Sequence, residues 1–214
     1  MRALVLLLAA ALPPARAEII DSVAASVGRT VITRSDAVLQ LRIQAFIDGE
    51  DARLEPSPLA QAVDRLIDQE LIRREIEISR YPTPAMDEIE PLLAQVRQER
   101  FPTDASFQRA LARAAITEEQ LRQALLWQLT VVRFLQYRFR PAVQVPEADL
   151  AAYYRATFVP DWRKSNPAQP PPLDDVRDRI ESLLAAQRSD EAMERWLAEA
   201  RAQARVRIHR ETLE

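Results

Sequence analysis

The chain has no cysteine, which excludes disulfides, thiolate metal ligands and a lipid anchor on an acylated cysteine. Histidine occurs once, at His209; with no second histidine it makes no metal site, and between Arg207 and Arg210 it reads as an exposed residue of a terminal strand. Glycine stands only at Gly28 and Gly49, so there is neither a glycine-rich phosphate loop nor a Gly-x-Ser-x-Gly nucleophile elbow. Lys164 is the one lysine among 29 basic residues. The arginines alternate with acids, as in Glu70/Arg74, Arg73/Glu77, Asp175/Arg179 and Glu191/Arg195, a pattern of i,i+4 pairs on helix faces. With a net charge of −3 and no basic block, nucleic acid is not an expected partner. No apolar run is long enough for stable membrane insertion, and no residue set calls for a cofactor or a metal. The expectation is a protein that is not an enzyme.

What is present begins with a leader pattern: Met1-Arg2, an apolar run from Ala3 to Leu12, and the small residues of Ala15-Arg16-Ala17. Residues 1–17 read as a signal peptide cut after Ala17; losing Arg2 and Arg16 takes the net charge from −3 to −5. The remaining chain of about 200 residues is long enough to bury a core without disulfides.

Ile19, Val23, Val27, Val31 and Ile32 surround Gly28-Arg29 and predict a hairpin, with Thr33 to Asp36 as a capping box that starts a helix running to about Asp48. Pro56-Ser57-Pro58 starts a second helix, Ser57 capping and Pro58 at its first position; Leu59, Ala62, Val63, Leu66, Ile67 and Leu71 form its buried stripe. After Tyr81-Pro82 a third helix is delayed or kinked by Pro91. Thr103 opens a short helix with Phe107 and Leu111 inward, and Thr117 to Gln120 caps a long one reaching about Arg140. That helix carries two apolar stripes. Leu121, Leu125, Val132 and Phe139 make one; Trp127, Val131 and Phe134 make another, which is either core or the lining of a groove for apolar peptide.

Pro141 to Val145 reads as extended, and Pro146 starts a helix with Leu150, Tyr153, Tyr154 and Phe158. From Pro160 to Pro172 the apolar period stops, which reads as a stiff linker. The last helix starts at Leu173 with Val176, Ile180, Leu183, Leu184 and Gln187 on one face, then shifts near Arg188 to Met193, Trp196, Leu197, Ala200 and Ala204 on another. Two opposed faces require either a bend or two packing bodies. Val206 to Ile208 closes the chain as a strand.

In their order, these signals resemble the SurA-like periplasmic chaperones. The resemblance is carried by Val23-Ala24-Ala25-Ser26-Val27-Gly28, Val31-Ile32-Thr33-Arg34-Ser35-Asp36, Leu66 to Ile72, Ile116 to Arg122, Val145 to Tyr154, Pro172 to Ile180, Trp196-Leu197 and Val206-Arg207-Ile208. It implies a fold that is mainly α, a multi-helix chaperone module whose small β element is formed by the N-terminal hairpin and the C-terminal strand. It implies a module over residues 18–160, a proline-rich linker over 161–172, and residues 173–214 completing the module. Such proteins usually carry a parvulin prolyl-isomerase domain, rich in glycine and with active-site histidines, where this chain has the linker. With two glycines and one histidine the domain is absent, and its activity is not carried over. The implied function is ATP-independent holding of unfolded outer-membrane proteins in the periplasm. Amphipathicity nominates Trp127, Val131, Phe134, Tyr153, Tyr154 and Trp162 as client contacts. Residual isomerase activity, an adaptor for one folded partner and a homodimer remain open on the sequence.

Overall fold

The structure, a computed structural model, describes residues 21–139 and 145–213. The leader read over 1–17, and residues 141–144 of the expected extended segment, lie outside the described residues. The fold is mainly helical with one small sheet, as the sequence predicts.

Strands β1 (Val23–Val27) and β2 (Thr30–Thr33) form the predicted hairpin, and β3 (Val206–Ile208) joins the other edge of β1 in the order β2-β1-β3, antiparallel throughout. Gly28 takes φ 58° at the first position of the two-residue turn, the conformation a tight hairpin asks of glycine. The Arg74 guanidinium closes over that turn, donating to the Val27 carbonyl and, at 3.0 Å, to Glu70, which itself accepts from Thr30 at 2.6 Å. One side chain thus ties the hairpin to the second helix.

Helix α1 (Arg34–Asp48) starts at the Thr33–Asp36 capping box and stops at Gly49, φ 77°. Helix α2 (Pro56–Ser79) starts two residues earlier than predicted: Pro56, not Pro58, holds the first position, and Glu55 caps without a side-chain bond. Both prolines fall among the first amides, which have no intrahelical acceptor, so neither costs a hydrogen bond. A 3₁₀ turn at Met86–Ile89 precedes α3 (Glu90–Arg100), the delayed start that Pro91 suggested. Helices α4 (Asp104–Ala114) and α5 (Glu118–Phe139) follow, capped at Thr103 and Thr117.

Three apolar clusters make the core of this body. One lies under the sheet, around Ala25, Val27, Leu59, Val63 and Ile67; one joins α1, α3, α4 and α5 around Phe46, Leu93, Phe107 and Leu121; the third sets Phe134 against Ile72 and Ile76. Burial of each large side chain contributes roughly 1.5–3 kcal/mol.

The chain then departs from expectation. Helix α6 (Glu147–Tyr153) does not give way to a linker at Pro160. It continues through a π turn (Tyr154–Phe158) into α7 (Val159–Ser165), so that Trp162 is helical and the proline-rich linker shrinks to residues 166–172. The widened turn, in which the Val159 amide bonds back to Tyr154, shifts the ladder just before Pro160, whose missing N–H would otherwise interrupt it.

Helix α8 (Leu173–Gln203) runs unbroken. Its two faces meet two bodies, not one bend: Ile180 is buried in the half that carries α6, while Trp196, Leu197 and Ala200 pack on α2 and α5. Leu183, placed in the first stripe, is 45% exposed. Arg201 anchors the second half to α2 through Asp68 at 2.6 Å. Of the four i,i+4 pairs read from the sequence, Glu70–Arg74 is formed; the other arginines that pair with acids mostly reach across elements, as in Arg97–Glu118 at 2.7 Å and Arg133–Glu88 at 2.5 Å. His209 follows β3 instead of lying in it, half-exposed beside Glu211.

Candidate functional site

Helices α1, α2 and α5 leave a groove between them. Its deeper part, about 260 Å³, has a floor of Ile43, Ile47, Ile72, Trp127 and Val131, with Val132 at its lip. A second hollow of about 290 Å³ shares Gln40, Ile43 and Gln69 with the first and continues to Thr30, Val31 and Ile32, so the groove ends at the outer edge of β2. Among the described residues that edge has no partner strand, and Val31 is 53% exposed.

The rim is built of amides more than charges. Gln44 donates to Asp48 at 2.9 Å, whereas among the described residues the side-chain amides of Gln40, Gln69 and Gln128 have no protein partner. An amide offers both donors and an acceptor, the complement of an extended backbone. Arg73 lies over the Trp127 ring at 4.8 Å, a cation–π contact that holds the indole at the groove wall.

The six residues nominated from the sequence separate into three groups. Trp127 and Val131 come together in the groove, half-exposed. Phe134 does not: it is 0% exposed, edge-on to Tyr81 at 5.4 Å, and belongs to the core. Its nomination as a contact residue is corrected by burial, because α2 and Tyr81 cover the face that a periodicity argument leaves open. Tyr153 lines an open hollow between α6 and α8 with Leu184 and Arg188, and Tyr154 and Trp162 lie farther along, in the π turn and α7.

Ile43, Ile47, Ile72 and the glutamines were not singled out in the sequence. The available signal was Gln40 and Gln44 beside Ile43 and Ile47, uncharged positions at i,i+4 in a chain that is 29% charged. A wider hollow of about 630 Å³ lies beside Phe46 and Phe101, but those rings stack on each other at 5.6 Å and Arg100 covers both while bonding to the Phe46 carbonyl. Its apolar groups are already used.

Among the described residues, no group of three or more His, Cys, Asp or Glu side chains could hold a metal ion, and no helix is long and apolar enough to cross a membrane. The arrangement offers apolar contact and hydrogen bonding to a backbone. No protein-family model matches the chain, and no curated protein matches it.

Proposed function

We propose that this chain is an ATP-independent periplasmic chaperone that holds extended, apolar or aromatic-rich segments of unfolded outer-membrane proteins and carries no isomerase activity. The observation that carries the reading is the half-exposed pair Trp127 and Val131 on an apolar floor rimmed by four glutamines, of which Gln40, Gln69 and Gln128 have no partner among the described residues. The leader pattern and the segments resembling SurA-like chaperones support export and client class.

The groove suits the task energetically. Each apolar client side chain that it covers contributes roughly 1.5–3 kcal/mol, against an association cost of at least about 4 kcal/mol, so two or three anchored side chains give weak, reversible holding. Amide rims and an open strand edge bind backbone whatever its sequence, which fits many clients better than one.

The test mixes the mature chain with a urea-unfolded outer-membrane protein diluted into buffer and follows light scattering. Stoichiometric excess is expected to suppress aggregation, and Trp127→Ala with Val131→Asp to abolish suppression while the fold is kept. No suppression by the unaltered chain, or capture of one folded partner in its place, would overturn the reading.

A further inference from the structure

Tyr154, Phe158 and Trp162 are four residues apart in sequence and form one row across the π turn and α7. Their ring centroids are 5.7 Å and 5.9 Å apart, with planes 17° and 28° from parallel. No residue of this stretch is fully buried, so the row is not a core stripe. Both polar tips of the row are committed to the same short segment. The Tyr154 hydroxyl donates to the Pro171 carbonyl at 2.8 Å, and the Trp162 indole N–H donates to the Ala168 carbonyl at 3.1 Å.

The acceptors are three residues apart, the repeat of a polyproline II strand, with Ala168 at the bend over 167–168 that leads into the extended residues 169–172. Three residues make one turn of that helix, about 9 Å, and bring a carbonyl back to the same side. The donors, eight residues apart across the π turn and α7, are separated by at most about 12 Å along the helix, which their long side chains can close. Pro172 has φ −60° and ψ 155°, within the polyproline II region, and Pro170 and Pro171 are half-buried. A polyproline II strand has no internal hydrogen bonds, so its carbonyls are free to accept from Tyr and Trp while flat rings receive the pyrrolidines.

We propose that the Tyr154–Phe158–Trp162 row is a binding site for proline-rich extended segments, filled in this structure by the chain's own residues 168–172. The tether joining α7 to that segment is so short that its effective concentration is on the order of millimolar, so a free ligand competes only in excess or after the segment is released. This site is separate from the groove on α1, α2 and α5, and its failure would leave the chaperone reading untouched.

The test uses the mature chain labelled with ¹⁵N and the Trp162 indole N–H resonance, with a capped synthetic peptide of the sequence of residues 166–172 as probe. The double variant Pro170→Ser/Pro171→Ser is expected to bind the peptide at least tenfold more tightly than the unaltered chain. Adding Tyr154→Phe, which keeps the ring and removes one donor, is expected to weaken binding about fivefold, and a peptide with glycine in place of proline to move nothing. No indole shift in the released variant at millimolar peptide, or an equal shift with the glycine peptide, would overturn the proposal. Should the released variant lose its helical signal, the unaltered chain decides: excess peptide is expected to displace the tethered segment and shift the same resonance, and no shift there also overturns it.

Discussion

Aromatic rings are used differently in the two regions that α8 joins. In the body, made of the sheet, α1 to α5 and the second half of α8, rings meet from distant parts of the chain. Phe46, Phe101 and Phe107 contact one another pairwise at 5.5–6.1 Å from α1, the end of α3 and α4, and Tyr81 meets Phe134 edge-on. In the arm, made of α6, α7, the proline-rich segment and the first half of α8, the rings stack along one continuous stretch of helix, and Leu150 and Ile180 are the fully buried residues. Contacts between distant segments should make the body melt as a unit, whereas the local ring contacts should leave the arm able to open by itself.

The largest effect is expected where distant rings converge. Phe107→Ala removes a ring that is 1% exposed and should cost about 3–5 kcal/mol, read as a lower urea midpoint with an unchanged slope. A loss below about 1 kcal/mol would mean that the body is not built on that cluster. Ile180→Ala truncates a side chain that is 2% exposed and should cost about 2–5 kcal/mol, but the damage should stay local. Hydrogen exchange should speed up in α6 and at residues 173–187 while amides of α2 and α5 keep their protection. Equal loss in both regions would merge arm and body into one cooperative unit.

Features governed by neighbours in sequence were legible before the structure. The Thr33–Asp36 box, the Thr117–Gln120 box and the Gly49 stop depend on three or four adjacent residues and stand where they were read. The sequence points to Pro58 as the first position of α2, where the structure has Pro56, because two prolines fit the first turn equally well. The loss of apolar period from Pro160 reads as a linker, but the helix continues to Ser165 because the π turn changes the ladder just before that proline. In the groove, Trp127 and Val131 were legible as a stripe, but whether Phe134, next in that stripe, is covered depends on Tyr81, more than fifty residues earlier. Arginine partners show the same limit. Spacing identifies Glu70–Arg74, while Arg201–Asp68 joins positions 133 apart.

A smaller effect tests the join between sheet and helix. At Gly28 a new Cβ would lie 3.0 Å from the Arg74 guanidinium, and φ is positive. Gly28→Ala should therefore cost about 1–2 kcal/mol from the left-handed backbone, seen as a lower thermal midpoint. If Arg74 swings aside without further cost, Arg74→Ala in the same background should change little; a large added loss would show that the hairpin still depends on that clasp.

The smallest effect is acid loosening, and it bears on whether the arm opens first. The hydrogen bond from Arg133 holds the Glu88 carboxyl below the ordinary value of 4.5 in the body, and the one from Arg177 does the same for Glu147 in the arm. In each case the folded state binds the proton less tightly than the unfolded chain. The stabilisation is therefore fully present above pH 4.5 and is lost as pH falls through the lowered folded value. Both pairs are at the surface, where screening keeps the gain small. In the body that loss falls on three apolar clusters; in the arm it falls on Leu150 and Ile180, and on the α6–α8 contact that Glu147 and Arg177 themselves make. Lowering the pH from 7 towards 2 should thus release α6 protection before that of α2, and Glu147→Gln should weaken the arm at neutral pH while flattening its acid response and leaving the body's unchanged. Simultaneous loss in both regions would show that α8 couples them tightly enough to override the thinness of the arm's core.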